Sequence, residues 1–397
     1  MELKAQHTSN LLYLDGLRAI AALYVMLHHG VLQYYNGADL GKVHGLEKFF
    51  TYFFFQGRLA VDLFIVLSGF CLMLPILKNG YTLKGGTLLF YKKRVIRILP
   101  PYYLAMILSL VLIQFFIGDF SGYHWDYSIP VTGKDILTHI FLIYDLFLDS
   151  GSKINHVFWS IAVEFRIYML FPLILFLWRR IGWLFTFVAA ALFCCIITAL
   201  LFLLNSYVGG LNLQPPGVNP YLLLFMFGML SAYIAFGDFK HSIKKYELVT
   251  YFIVSLLLYY ISFKISFKHS DNLFLSEIPD IIFGISCSLL LLISAKQNMF
   301  PLIQNFFSKK MLVMVGSFGY SLYLIHAPLI QVITLYIVEP LKLNRIYSVL
   351  LLLVLCLLII IPLSYLFFLL CEKPFMKFGK KITFRQAEAI SISNPAP

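Results

Sequence analysis

Apolar runs of about 20 residues recur along the whole of this 397-residue chain, and each is long enough to cross the hydrocarbon core of a bilayer as a helix. With 60% hydrophobic and only 13% charged residues, the composition excludes a water-soluble globule. The expected fold is all-α: a polytopic membrane protein of about ten transmembrane helices. The spans fall near 11–35, 51–77, 98–118, 156–178, 182–204, 219–237, 247–267, 279–295, 311–337 and 346–371. A further apolar stretch, 135–149, is too short to span comfortably and reads as a re-entrant or interfacial helix. The first run lacks a small-residue cleavage site and carries Asp15 and Arg18, so it reads as a retained helix rather than a signal peptide. The six cysteines lie in or beside apolar runs without metal or disulfide spacing and read as small core residues.

A net charge of +12 invites a nucleic-acid reading, but the placement of the charge argues against it. With the N-terminus inside, twenty of the 31 Lys and Arg fall in inner loops and seven in outer ones. Arg18, Arg58, Arg166 and Lys264 sit within apolar runs. That bias is the positive-inside rule, so the basicity sets orientation. It puts both termini on the cytoplasmic side, and the inner (cytoplasmic) membrane is the expected location. Residues 1–375 read as one membrane domain and 376–397 as a basic, disordered cytoplasmic tail.

Ionisable groups at membrane depth are costly and mark function. Arg18 and His29, eleven residues apart, share one helix face and stand about 16 Å apart along the axis. Arg58, Asp62 and Ser68 interrupt the second run, Glu164 and Arg166 the fourth, and Tyr320, Ser321, Tyr323 and His326 the ninth. His29 and Glu164 are expected at one depth, about 10–12 Å below the outer surface, as a base with its orienter. Asp62 and His326 fall nearer the midplane. Arg94 and Arg97, three residues apart beside Lys93, present forked guanidiniums suited to phosphate oxygens at the inner edge.

Each feature also has a plainer reading. Arg94 and Arg97 serve equally as anchors on anionic headgroups. Glu164 and Arg166 serve as buried packing partners, and His29 as an interhelix hydrogen-bond donor. His28 points about 100° away from His29 and reads as a packing residue. Ser68 beside Gly69 reads as a close-packing pair, and Tyr123, Trp125 and Tyr127 as an aromatic belt or a sugar-stacking lip.

Five motifs in order resemble the integral-membrane acyltransferase-3 family over nearly all of residues 10–375. They are LeuAspGlyLeuArg with Arg18 and His29, AspLeuPheIleValLeuSerGlyPhe, Arg94-Val-Ile-Arg97, TrpSerIleAlaValGluPhe from Trp159, and TyrSerLeuTyrLeuIleHis. The resemblance implies transfer of an acyl group, usually acetyl from cytoplasmic acetyl-CoA, to a hydroxyl of a carbohydrate or lipid-linked glycan such as an O-antigen. It implies His29 as the catalytic residue and Arg18 as its essential partner, with Arg94, Arg97 and Lys93 at the donor end. Asp62, Trp159, Tyr168, Tyr323 and His326 are expected in supporting positions. Some relatives append an extracytoplasmic esterase-like domain, which is not expected here. No metal and no nucleic-acid partner are expected, only acyl-CoA, the acceptor glycan and membrane lipids. The rival is a proton-coupled secondary transporter or exporter relaying through His29, Asp62, Glu164 and His326.

Overall fold

The computed structural model describes residues 12–35, 42–208, 213, 218–237, 244–266, 273–295, 301–379 and 381. Among these the chain is all-α, without a strand. The helices are α1 (Leu12–Leu32), α2 (Gly45–Phe54), α3 (Gly57–Lys78), α4 (Gly86–Leu112), α5 (Gly133–Ile140) and α6 (Trp159–Tyr207). They continue with α7 (Val218–Phe236), α8 (Lys245–Ser266), α9 (Leu273–Ala295), α10 (Pro301–Phe307), α11 (Lys310–Ser317), α12 (Gly319–Ile333) and α13 (Arg345–Gly379).

Seven helices among the described residues are long and apolar enough to cross a membrane. The longest, α6, breaks at Gly182, whose φ of 80° and ψ of 168° no helix accommodates. With its two legs taken separately, and with α1 and α7 added, these helices overlap the ten stretches expected from hydropathy. However, α4 begins at Gly86 rather than at 98, so Arg94 and Arg97 lie within it, and the 311–337 stretch is broken at Phe318 between α11 and α12. Three further boundaries differ. His29 falls in the last turn of α1, three residues from its end, because the chain leaves the helix at Leu32. The 135–149 stretch is helical only as α5, started by a Thr132–Asp135 capping box, and then turns through Tyr144–Leu146. In 141–149 a loop packs Leu142 and Tyr144 inside without a helix, while Phe141, Ile143 and Leu148 stay exposed. At the C-terminal end α13 runs on through Gly379, so a domain boundary at 375 falls inside a helix; most of the tail lies outside the described residues.

Two pairs of glycines set the helix crossings. A Cβ on Gly69 of α3 would stand 1.9 Å from the carbonyl oxygen of Phe225 on α7, and one on Gly228 of α7 would stand 1.9 Å from that of Val66 on α3. The same reciprocity joins α1 to its later neighbours: Gly316 of α11 abuts the carbonyl of Asp15, and Gly16 that of Phe307. Without a hydrophobic force between helices in lipid, such backbone-on-backbone contact is what association rests on. Phe90, Phe171 and Phe225 fill the space beside the first crossing, with ring centroids 5.2 and 5.8 Å apart in sequence of contact.

Replacing Gly228 with Leu forces α3 and α7 apart. It is expected to cost about 1–3 kcal/mol or more, seen as a lowered thermal midpoint in detergent. Gly133→Ala, where nothing lies within 4 Å of the added Cβ, is expected to leave that midpoint unchanged.

Candidate active site

A cavity of ≈ 440 Å³ threads between α1, α3, α4, α6 and α12. At one end stand Arg94 and Arg97 of α4 with Glu372 of α13; at the other stand Ser160 of α6 and Tyr323 of α12. Arg18 lies on its wall, donating to Asp15 Oδ1 at 2.6 Å and to Cys71 Sγ at 2.9 Å. The α1–α11 crossing places this arginine, since Gly316 packs against the backbone of the same helical turn. Glu164 also lines the cavity, accepting from Ser68 at 2.7 Å and from Tyr168. The guanidinium of Arg94 lies over the Tyr168 ring, 5.4 Å from its centroid, which draws the cation toward Glu164.

The pairing of Glu164 with His29 expected from sequence is not formed. Glu164 is committed to two hydroxyls on the cavity wall, and its helix begins at Trp159, so equal residue counts from the run ends did not mean equal surroundings. Besides the adjacent His28, whose ring is 4.9 Å away, His29 meets three other imidazoles. His156 Nε2 lies 3.3 Å from His29 Nδ1, and the rings of His124 and His326 have centroids 5.6 and 5.2 Å from that of His29. His156 Nδ1 lies 2.9 Å from Ser128 Oγ, which also accepts the His156 backbone N–H at 3.1 Å. Burial, reinforced by the nearby His28, pushes His124 down to about 4, so it is a neutral donor of a lone pair at ordinary pH.

The two centres meet at Tyr323. Its hydroxyl donates to the Val157 carbonyl at 3.0 Å and accepts from Ser160 at 2.7 Å, closing the cavity. Its ring lies 5.7 Å from His326. His326 Nδ1 faces the carbonyls of Leu322 and Tyr323, at 3.1 and 2.7 Å, so that nitrogen carries the proton. The lone pair on its buried Nε2 is then left without a partner among the described residues.

Other expected residues lie elsewhere. Lys93 is not among the residues lining the cavity, unlike Arg94 and Arg97. Asp62 is fully buried, both carboxylate oxygens lack hydrogen bonds, and its charged neighbours are Arg58 and Asp280. Trp159 joins that group through Tyr221, their ring centroids 5.5 Å apart, while Arg58 pairs with Asp280 and donates to Tyr221. A relay running through His29, Asp62, Glu164 and His326 therefore has no hydrogen-bonded path: only the two histidines are neighbours. His28 donates from Nδ1 to the Phe54 carbonyl at 2.6 Å, with Gly57 against its ring, which is a packing role. Trp125 is buried against His156 and so belongs to no aromatic belt, whereas Tyr127 is exposed. Sequence reading passed over His124 and His156. Both sit in the segment joining α4 to α6, where a lone histidine carries no periodic signal.

A bundle of long apolar helices around a polar cavity with a basic end, and with a histidine cluster beyond its other end, defines an integral membrane protein. The acyltransferase-domain family matches residues 11–369, and the chain belongs to this family, the acyltransferase-3 group. It is similar to the O-acetyltransferase OatA of Staphylococcus aureus, 24% identical over 345 residues, covering 82% of this chain and 51% of that protein. It also resembles YrhL of Bacillus subtilis, a candidate peptidoglycan O-acetyltransferase, 27% identical over 179 residues, covering 43% and 25%. The chain thus spans about half the length of OatA. No solved structure matches it significantly.

The segment carrying His124 and His156 is tied down by Arg166 of α6, which donates to Asp145 Oδ1 at 2.8 Å and to the Leu142 carbonyl at 3.1 Å. Asp145 is buried, so Arg166→Ala removes the cation paired with it and is expected to cost about 3–5 kcal/mol, read as a lower thermal midpoint. Removing both charges with Arg166→Met and Asp145→Leu is expected to recover most of that loss.

Proposed function

We propose that this chain is a membrane O-acetyltransferase that moves an acetyl group from cytoplasmic acetyl-CoA to a hydroxyl of a cell-envelope carbohydrate. The observation that carries the proposal is the single cavity leading from Arg94 and Arg97 to Tyr323, one ring away from the histidine cluster. The Lys and Arg bias orients its basic end to the cytoplasm, and with it both termini. Arg94 and Arg97 suit the phosphates of the donor, and Arg18 stands further along its path. The names of OatA and YrhL support acetyl as the group moved, and that of YrhL favours peptidoglycan over O-antigen as the acceptor class.

In this reading His29 is the general base, and the pair takes the tautomers in which His29 donates from Nδ1 to His156 Nε2 and His156 from Nδ1 to Ser128, leaving His29 Nε2 with its lone pair. The acceptor hydroxyl loses its proton to that nitrogen as its oxygen attacks the thioester carbonyl. The carbon–sulfur bond breaks, and the departing thiolate takes the proton. His156 replaces Glu164 as the positioning residue.

The test is purified protein in detergent with radiolabelled acetyl-CoA and a soluble peptidoglycan fragment. Release of CoA matched by ester-linked acetyl on the glycan supports the reading; acetyl-CoA that neither binds nor turns over overturns it. His29→Ala is expected to lower turnover about 10²–10⁴-fold with membrane insertion intact. His156→Ala is expected to lower kcat about tenfold or more with little change in acceptor KM, since loss confined to the transition state falls on kcat.

Arg94→Ala and Arg97→Ala are expected to raise the donor KM about tenfold or more each, the loss of one charge-assisted hydrogen bond. The acceptor KM is expected to stay the same. A raised acceptor KM with an unchanged donor KM would place the pair at the other substrate.

A further inference from the structure

We infer that His29, His124 and His156 form a binding site for one divalent transition-metal ion of the zinc class. One ligand nitrogen from each of the three half-buried rings lies within 4.8 Å of the other two. One edge, His29 Nδ1 to His156 Nε2, is 3.3 Å long. Two imidazole nitrogens bound to zinc at about 2.0–2.1 Å in a tetrahedron are about 3.3–3.4 Å apart, so this edge is already at the ligating length. His124, whose ligand nitrogen lies within 4.8 Å of the other two, closes in by at most about 1.5 Å to complete the face.

The surroundings select for a metal ion of that kind. Imidazole suits zinc, copper and nickel, and among the described residues no carboxylate is grouped with the three rings to favour magnesium or calcium. The three residues come from separate parts of the chain, which is why their spacing did not suggest a metal site. Second partners hold two of the rings: Ser128 at the far nitrogen of His156, and the Tyr127 ring 5.3 Å from that of His124. His326 adds an independent sign. Its proton is fixed on Nδ1 by two carbonyls, and its buried Nε2 lone pair beside His29 has no partner among the described residues. A fourth ligand position, or a water on the ion, would satisfy it.

Between His29 and His156 a proton and a metal ion are alternatives. The proton-bearing pair leaves His29 Nε2 free to act as a base. Ligation through Nδ1 moves the ring's one remaining proton to Nε2 and removes that base. Zinc bound here therefore inhibits acetyl transfer. The binding stands apart from the acetyltransferase reading; only this inhibition rests on it.

The experiment uses the whole chain, purified in detergent without a histidine tag, stripped with chelator and titrated with Co²⁺. One Co²⁺ per chain with the visible absorption of a tetrahedral ion is expected, displaced stoichiometrically by Zn²⁺. Affinity is expected to fall about 100-fold in His124→Ala and in His156→Ala. Because alanine variants can fail by unfolding, His124→Cys is the companion: it is expected to retain Co²⁺ and add sulfur-to-cobalt charge-transfer absorption in the near ultraviolet. No bound Co²⁺, or binding that both histidine variants leave unchanged, overturns the site. Acetyl transfer is expected to fall as Zn²⁺ fills the site and return with chelator. Co²⁺ and Zn²⁺ bound through these histidines with transfer undiminished would leave the site standing and overturn His29 as base.

Discussion

Helices in lipid gain nothing from hiding apolar side chains from one another, so this bundle depends on how closely its backbones approach. The paired glycines on α3 and α7, and on α1 and α11, meet that need directly. They also set the chemistry. Ser68 precedes the glycine of the first crossing and reaches Glu164. Asp15 and Arg18 flank the second and face the cavity. Polar groups that would be intolerable against lipid are held where backbone contact has left a walled interior.

Within that interior the polar groups divide into two sets. Along the cavity charged groups meet partners of the opposite hydrogen-bonding sense: Arg18 donates to Asp15 and the Cys71 sulfur, and Glu164 accepts from two hydroxyls. At the far end they are imidazoles that meet one another, where each ring must have its protons arranged by a neighbour. The first set suits holding a charged molecule still, the second suits passing a proton. A third group, Arg58 with Asp280, Tyr221 and the orphaned Asp62, lies apart from both. It reads as interhelix cohesion rather than as part of a relay.

Hydropathy located the spans because length and apolarity are properties of single segments. It also picked out Arg18 and Glu164, since a charged residue inside an apolar run stands out without any partner in view, and the three-residue spacing of Arg94 and Arg97 at the inner edge marked that pair. What it could not give was the partner. Counting residues from run ends put Glu164 level with His29, but the ends themselves lay elsewhere: α1 stops at Leu32, while α6 begins only at Trp159. His124, His156 and Ser128 sit in the polar joining segment, where histidines and serines are unremarkable. Their importance comes only from that segment folding back over the end of α1. The same holds for Trp125, whose belt-like position in sequence gave way to burial against His156.

That folding back divides responsibility for the centre unevenly. The walls of the cavity are helices locked by glycine crossings, where one added methyl group disturbs the bundle. The face that closes over His29 comes from the stretch between α4 and α6, pinned chiefly by Arg166 on Asp145 and by Asn155, which donates to Ser109 and the Leu324 carbonyl. Substitutions along the exposed turns of that stretch, at Tyr127 for example, can reshape what reaches His29 without touching a helix crossing. The molecule thus has one end constrained to a single ligand shape by its own packing, and another free to diversify. Chains sharing this bundle should differ from one another first in that short stretch.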